Sequence, residues 1–231
     1  INNEASYNLF CEILTEIIMA QALYLSDITQ AEVEVLKCEP TEDGRFAIQL
    51  SNTPFYPQGG GQPSDVGKIN DADVLHVVMQ NDQIIHYSNH ATTLGLAQAR
   101  VDLNRRRYHS RLHSAGHLIG HVMQAFGWEP TKAQHWPEEC KVQFVKQDHS
   151  EDQDLETLQQ ICNQYISSQL VRLTQQNADG YREVSFGDLP AFPCGGTHVQ
   201  NLSEIGTLEI TGYKLKKDKL TVSYRVSDEH Q

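Results

Sequence analysis

The chain has 231 residues, 39% of them hydrophobic and 21% charged, with 18 basic against 30 acidic side chains for a formal charge of −12. That length suits one large domain or two small ones. The composition excludes a disordered or low-complexity chain, and the acidic balance argues against a general nucleic-acid coat while leaving room for a local basic patch.

The segment "EILTEIIMAQALYL" comes closest to a membrane span, but Glu12 and Glu16 interrupt the run. The segment lacks a basic leader and a small-residue cleavage site, so no secretory signal is expected. Residues 1–20 are assigned as an N-terminal extension outside the fold. Five dispersed cysteines do not make a disulfide framework and point to a reducing, cytoplasmic setting.

From Leu25 to Tyr87 the chain reads as strands and turns. "AEVEVLKCE" alternates, "GRFAIQL" follows a turn at Asp43-Gly44, and "KINDADVLHVVMQNDQIIHYS" suggests paired strands. Between them lies "TPFYPQGGGQPSDVG", a turn-rich loop over residues 53–67. Its glycines resemble a phosphate cradle, yet no Lys-Ser/Thr follows and no strand-to-helix context surrounds it. Two readings stay open: a flexible turn, or a loop that brings backbone close to a ligand, with Gln62 as a polar contact. Residues 21–93 are expected to form a small β domain.

Residues 94–231 read as α+β, helices on an antiparallel sheet. "DLNRRRYHSRLHSAGHLIGHVMQAFG" has a cap at Asp102 or Asn104, apolar residues at helical spacing and a stop at Gly127. "CKVQFV" reads as a strand, and "DLETLQQICNQYISSQLVRLTQQN" as one amphipathic helix with acidic residues at its start. "GTLEITGYKLKKDKLTVSYRV" reads as a closing hairpin. Arg100, Arg105, Arg106, Arg107 and Arg111 cluster at the helix, and Lys214, Lys216, Lys217 and Lys219 in the hairpin. Each is ordinarily a solvated charge; together they suit phosphate contact.

"PCGGTHV" places Cys194 four residues before His198. A buried thiol beside a tight turn would explain it, and so would a pair of metal ligands. On the helix, His113 and His117 stand at i and i+4 and face one side. Thiolate with three imidazoles is a zinc set, and the turn glycines let the backbone bend. His109 and His121 continue the ladder, but each four-residue step rotates by about 40°, so all four cannot share one ion.

Taken in order, the glycine-rich loop, "HSAGHL" and "CGGTHV…EIG" resemble the editing domain of alanyl-tRNA synthetase, over about Leu23 to Val226. With no room for an aminoacylation domain, the chain is similar to the freestanding, AlaX-type editing factors, in their longer form. The resemblance implies an N-terminal β-barrel-like domain and a C-terminal α+β domain of the type shared by threonyl- and alanyl-tRNA synthetases. It implies a hydrolase that removes serine, and second glycine, from the acceptor end of mischarged tRNA(Ala), with Zn2+ on His113, His117, Cys194 and His198. It implies catalytic roles for Gln62 and Cys194, and substrate contacts at Thr53, Gly60, Gly61, Gln62 and Arg225. Arg225 is carried over from an Arg-Arg-Ile segment that reads "YRV" here. Two rivals remain: a non-catalytic tRNA-binding module with a structural zinc, and a metal hydrolase acting on small esters.

Overall fold

The structure is a computed structural model and describes residues 20–227. The assignment of residues 1–20 as an extension therefore falls, but for its last residue, outside the described residues.

The N-terminal half is a set of short, alternating strands. β1 (Gln30–Pro40), β2 (Phe46–Leu50), β3 (Gly67–Ile69), β4 (Ala72–Gln80), β5 (Gln83–Ser88) and β6 (Gly95–Val101) follow one another along the chain. They pair in the order β1-β2-β5-β4-β3-β6, and β6 returns to β1, so the sheet closes into a barrel without free edges. All six pairings are antiparallel. Alternation sends Val33, Val35, Ile48, Leu50, Val74, Val77, Ala97 and Ala99 into the interior, where Phe55 from the glycine-rich loop joins them. β6 closes the ring one strand beyond the change of pattern read near residue 93. Its alternation Ala97, Ala99, Val101 is the signal that places it with the barrel.

α1 (Leu103–Ala125) starts directly after the barrel. The Asp102 carboxylate accepts from Arg105 N–H at 3.0 Å, which caps the helix, and Gly127 turns the chain away at φ +78°. β7 (Trp128–Trp136) and β8 (Glu139–Lys146) form a hairpin, and α2 (Leu155–Ser167) follows behind an Asp154 cap. The sequence reading carried α2 on to Asn177; the structure ends it at Ser167. Ser167 and Ser168 turn their hydroxyls onto the carbonyls of Asn163 and Tyr165, and Gln169 adopts φ +56°. Serines that bond nearby backbone in this way favour helix ends.

The chain then forms a small sheet, β9 (Arg172–Gln176), β10 (Arg182–Phe186) and β11 (Phe192–Pro193), in that order. A final hairpin, β12 (Leu208–Lys216) and β13 (Lys219–Val226), adds to the earlier one to give a four-stranded sheet β12-β13-β8-β7. β7 is a strand that periodicity did not announce, because Pro130 and charged residues break its alternation. Both helices pack on this sheet over a second core containing Leu112, Leu118, Ile119, Met123, Trp128, Phe144, Leu158 and Phe186. Among the described residues no helix is long and apolar enough to cross a membrane. Cys38, Cys140, Cys162 and Cys194 are free thiols.

Candidate metal centre

α1 and the turn after β11 meet at four side chains. The ligand atoms of His113, His117, Cys194 and His198 all lie within 4.8 Å of one another. Cys194 Sγ is 3.4 Å from His113 Nε2 and 3.2 Å from His198 Nε2. Tetrahedral zinc with ordinary Zn–S and Zn–N bonds puts sulfur and nitrogen about 3.5 Å apart, so these separations match an edge of that shell.

The turn has its own reason to exist. A Cβ at Gly196 would overlap the His113 ring, so only glycine lets the ligand turn lie against that ring. The turn's carbonyls are held from outside. Arg182 Nη1 donates to Cys194 O at 2.8 Å and Gly196 O at 3.0 Å, and Arg172 Nη1 donates to His198 O at 3.0 Å.

The imidazoles are pre-oriented. His113 Nδ1 lies 2.6 Å from Gln62 Oε1, and His198 Nδ1 lies 3.2 Å from Ser114 Oγ, so in each ring Nε2 is left to face the thiol. A ligand histidine whose second nitrogen is hydrogen-bonded is the usual arrangement at metal sites. Burial, followed by neighbouring imidazoles, holds His113 well below the ordinary histidine range, and holds His117 down to about 3. Both are therefore neutral, the form that ligates. Burial pushes the Cys194 thiol up, while Gly196 N–H and Arg182 pull it down. A dication among these atoms would supply the charge that makes it a thiolate. His117 Nδ1 is buried without a hydrogen-bond partner, and a ring that binds a metal through Nε2 tolerates that. The donor set thus fits zinc.

His109 and His121 stand apart from the four, as the helical rotation requires. His121 stacks on Phe192 with ring centroids 4.3 Å apart. Burial lowers both histidines to about 4.

Gln62 reaches this centre from the barrel side. It is 0% exposed. Its Oε1 accepts from His113 and from Thr197 N–H at 3.1 Å, and its Nε2 donates to Thr197 Oγ1 at 2.9 Å. Ser110 Oγ adds a 2.7 Å hydrogen bond to the same Thr197 oxygen. Gln62 is therefore placed to orient the His113 ring. Gly60 and Gly61 sit in the left-handed region at φ +51° and +77°. A Cβ at Gly61 would come within 2.5 Å of Ala133 O, and Gly61 O accepts from His135 N–H at 2.9 Å, so this glycine docks the loop on β7.

Two expected substrate residues are engaged elsewhere. Thr53 is buried in the barrel, its hydroxyl 2.8 Å from His86 Nε2 and accepting from Phe55 N–H at 3.1 Å. Arg225 is on the outer face of β13, between the inward-facing Tyr224 and Val226. Its side chain is 67% exposed and pairs with Glu209 at 2.6 Å. The basic cluster on α1 also divides. Arg106 is buried against Asp65, with Nε 2.9 and 3.0 Å from its two oxygens, and Arg111 donates to Ile205 O, while Arg100, Arg105 and Arg107 are exposed.

Sequence reasoning did not single out Arg182, Ser114 or His135. His135 stacks on His113 at 4.3 Å and bonds Tyr224 Oη at 2.6 Å, backing the ligand ring. Ser114 lies inside the quoted "HSAGH" and was legible there; His135 and Arg182 sit on strands with no local signal.

Comparison with known proteins agrees with this geometry. The family model for the "Threonyl and Alanyl tRNA synthetase second additional domain" matches residues 182–223, which include the Cys194–His198 turn. The alanyl-tRNA editing protein AlaX-M of Methanosarcina barkeri is 30% identical over 227 residues, covering 83% of this chain and 92% of that protein. The chain belongs to the alanyl-tRNA editing protein family. Another member, Aarsd1 of Rattus norvegicus, is 30% identical over 227 residues, covering 85% of this chain and 55% of that protein. The chain thus spans about half the length of the Aarsd1 proteins it matches. The alanine–tRNA ligase of Haloquadratum walsbyi is 26% identical over 81% of this chain and 23% of its own length. Family membership and the four-ligand cluster rest on separate observations, one of sequence and one of space.

Proposed function

We propose that this chain is a zinc-dependent, cytoplasmic hydrolase that works in trans on mischarged tRNA(Ala), cleaving the seryl ester first and the glycyl ester second. The observation that carries the reading is the convergence of His113, His117, Cys194 and His198 beside a buried Gln62, in a member of the alanyl-tRNA editing family. The architecture proposed with it is a barrel module running to Val101 and an α+β editing module of the threonyl- and alanyl-tRNA synthetase type.

A zinc held by the four ligands supplies Lewis-acid polarisation of a carbonyl or of a water. The chain's own groups prepare that site. Gln62 and Ser114 fix the tautomers and orientations of His113 and His198. Arg182 and Arg172 fix the backbone that presents Cys194 and His198. The ester is already activated, so orientation contributes more than a strong nucleophile would. Selectivity for serine over alanine, and over the slower glycyl ester, rests on polar groups that only the seryl hydroxyl pairs; Gln62, Thr197 and Ser110 are the set offered beside His113.

A second reading, a tRNA-binding module with structural zinc, draws on the four-ligand shell, which is how closed structural sites look. Against it, His117 and Cys194 are only partly buried, so the cluster is less sealed than a closed structural site. The experiment is deacylation of seryl-tRNA(Ala) beside alanyl-tRNA(Ala), before and after metal removal. Metal-dependent loss of serine alone is the expected result. Retention of both esters gives the protein to the binding-module reading.

A further inference from the structure

Most arginines whose partners define this fold are neutralised. Arg106 faces Asp65, Arg172 faces Asp27, Arg45 faces Asp43 and Arg225 faces Glu209. Arg182 is the exception at the metal centre. Its Nη1 donates to two carbonyls of the ligand turn, and Cys194 N–H donates back to Arg182 O at 3.0 Å. Among the described residues no carboxylate lies within ion-pair reach of it, and neither Nε nor Nη2 has a hydrogen-bond partner. The guanidinium is half-buried; the Asp27 carboxylate, already paired with Arg172, acts on it only at longer range, so its charge is only partly offset by the protein.

The surroundings leave room for a ligand. Gly195 is exposed, and nothing lies within 4 Å of where its Cβ would be. The carbonyl of Gly59 is held by Tyr56 Oη at 2.8 Å, and Gly59 and Gly60 are exposed in the loop that bears Gln62. Arg182 therefore stands beside half-buried ligands Cys194 and His117, in a body of formal charge −12 that otherwise repels polyanions.

We infer that Arg182 binds a phosphodiester next to the reacting ester: Nη1 holds the ligand turn while Nε and Nη2 take the phosphate oxygens. A planar fork with two parallel donors suits phosphate in a way an ammonium does not. In a charged tRNA the group within reach is the phosphodiester joining the terminal nucleotide to its neighbour. One guanidinium would then tie the position of the RNA end to the position of the Cys194 ligand. The inference rests on the editing reading, and it adds a substrate-binding residue that the motifs did not mark.

The test uses the full chain and Arg182→Lys, with Arg182→Gln as the second variant, and three readouts: bound metal, kinetics and RNA binding. The substrates are seryl-tRNA(Ala) and a seryl ester of adenosine, which has no phosphate. The expected result is a KM for seryl-tRNA(Ala) raised at least tenfold beyond whatever loss the variants show on the adenosine ester, which carries no phosphate and so reports the support of the ligand turn alone. The salt dependence of binding an uncharged acceptor-stem minihelix should lose about one unit of slope. Equal losses on both substrates, with or without loss of metal, would overturn the inference and leave Arg182 as a support for the turn. Should the wild-type chain cleave neither ester, the editing reading fails, and minihelix binding decides alone. Tenfold weaker binding by the variants then upholds the phosphate contact, and unchanged binding removes it.

Discussion

Two glycine-rich segments build this site and do so by different means. The Cys194–His198 turn supplies ligand atoms, and its glycines let it lie against a ligand ring. The loop over residues 53–67 supplies none; it brings Gln62 to the back of His113 and docks on β7 through Gly61. The loop is anchored by one arginine and the turn by two, Arg182 and the Asp27-paired Arg172. Arg106 bonds Asp65 and Pro54 O at 2.7 Å, so the loop's anchor is a buried, neutralised pair. Breaking such a pair from one side costs about 3–5 kcal/mol, which makes it a structural lock. Arg182 bonds only carbonyls and keeps its charge. The charge is cancelled where the anchor is sealed and kept where the site opens. The turn thus offers donors to an ion, and the loop aims one of the rings that would meet it.

The sharpest way to break that division is to remove a ligand. Cys194→Ala should lower deacylation of seryl-tRNA(Ala) at least a hundredfold and abolish stoichiometric metal binding, measured by metal analysis after gel filtration. Undiminished turnover in a metal-free variant would end the catalytic role of the turn. Next comes the loop's contribution. Gln62→Ala removes the acceptor from His113 Nδ1 and from Thr197 N–H. Loss of such an outer partner typically weakens metal binding 10–100-fold, to be read by competition with a chelator. Metal affinity equal to wild type, with activity lost, would instead make Gln62 a substrate contact, as its motif implied.

How much of this was legible follows the same division. The convergence of the four side chains was readable because a helix makes i, i+4 residues neighbours and the Cys-Gly-Gly-Thr-His turn sets a thiol and an imidazole side by side. The barrel strands followed from period-two alternation. What the letters alone do not show are contacts made at long range. Thr53 and Arg225 look identical, as letters, whether they meet a substrate, His86 or Glu209. α2 was overextended because Leu170, Leu173 and the polar residues round them still fit a helical period, and only Ser167, Ser168 and the left-handed Gln169 stop it. His135 stacks on a ligand ring from a strand that Pro130 disguises.

The loop's first residue offers a titration. Thr53 bonds His86 Nε2, and His86 Nδ1 lies 3.2 Å from Ile48 O, in an environment whose burial lowers this histidine to about 4. The unfolded chain takes up this proton near pH 6.5, so the folded state loses stability as pH falls from about 6.5 toward 4, and is unaffected above. The full effect is about 3 kcal/mol. His86→Gln should flatten the slope of unfolding free energy over that window by about 1.4 kcal/mol per pH unit, measured by denaturant titration. An unchanged slope would mean that His86 is already charged in the fold, and the loop's anchor would need another account.

The smallest effect belongs to the residue that the turn and loop leave out. Arg225 pairs with Glu209 on the far side of β13 from α1, with both side chains half or more exposed. Exposed pairs contribute between zero and about 1 kcal/mol, because water screens the charges and two long side chains must be held still. Arg225→Ala should therefore shift the unfolding free energy by less than about 1 kcal/mol and leave kcat/KM on seryl-tRNA(Ala) within about twofold. The comparison with Arg182 is the informative one, since both arginines carry a full charge and differ chiefly in what stands beside them. If Arg225→Ala raises KM as far as Arg182→Lys does, then an RNA must wrap from the mouth of the site round the edge of the sheet to its outer face. In that event uncancelled charge at the mouth is not what selects the contact, and the contrast between the two anchors loses its meaning.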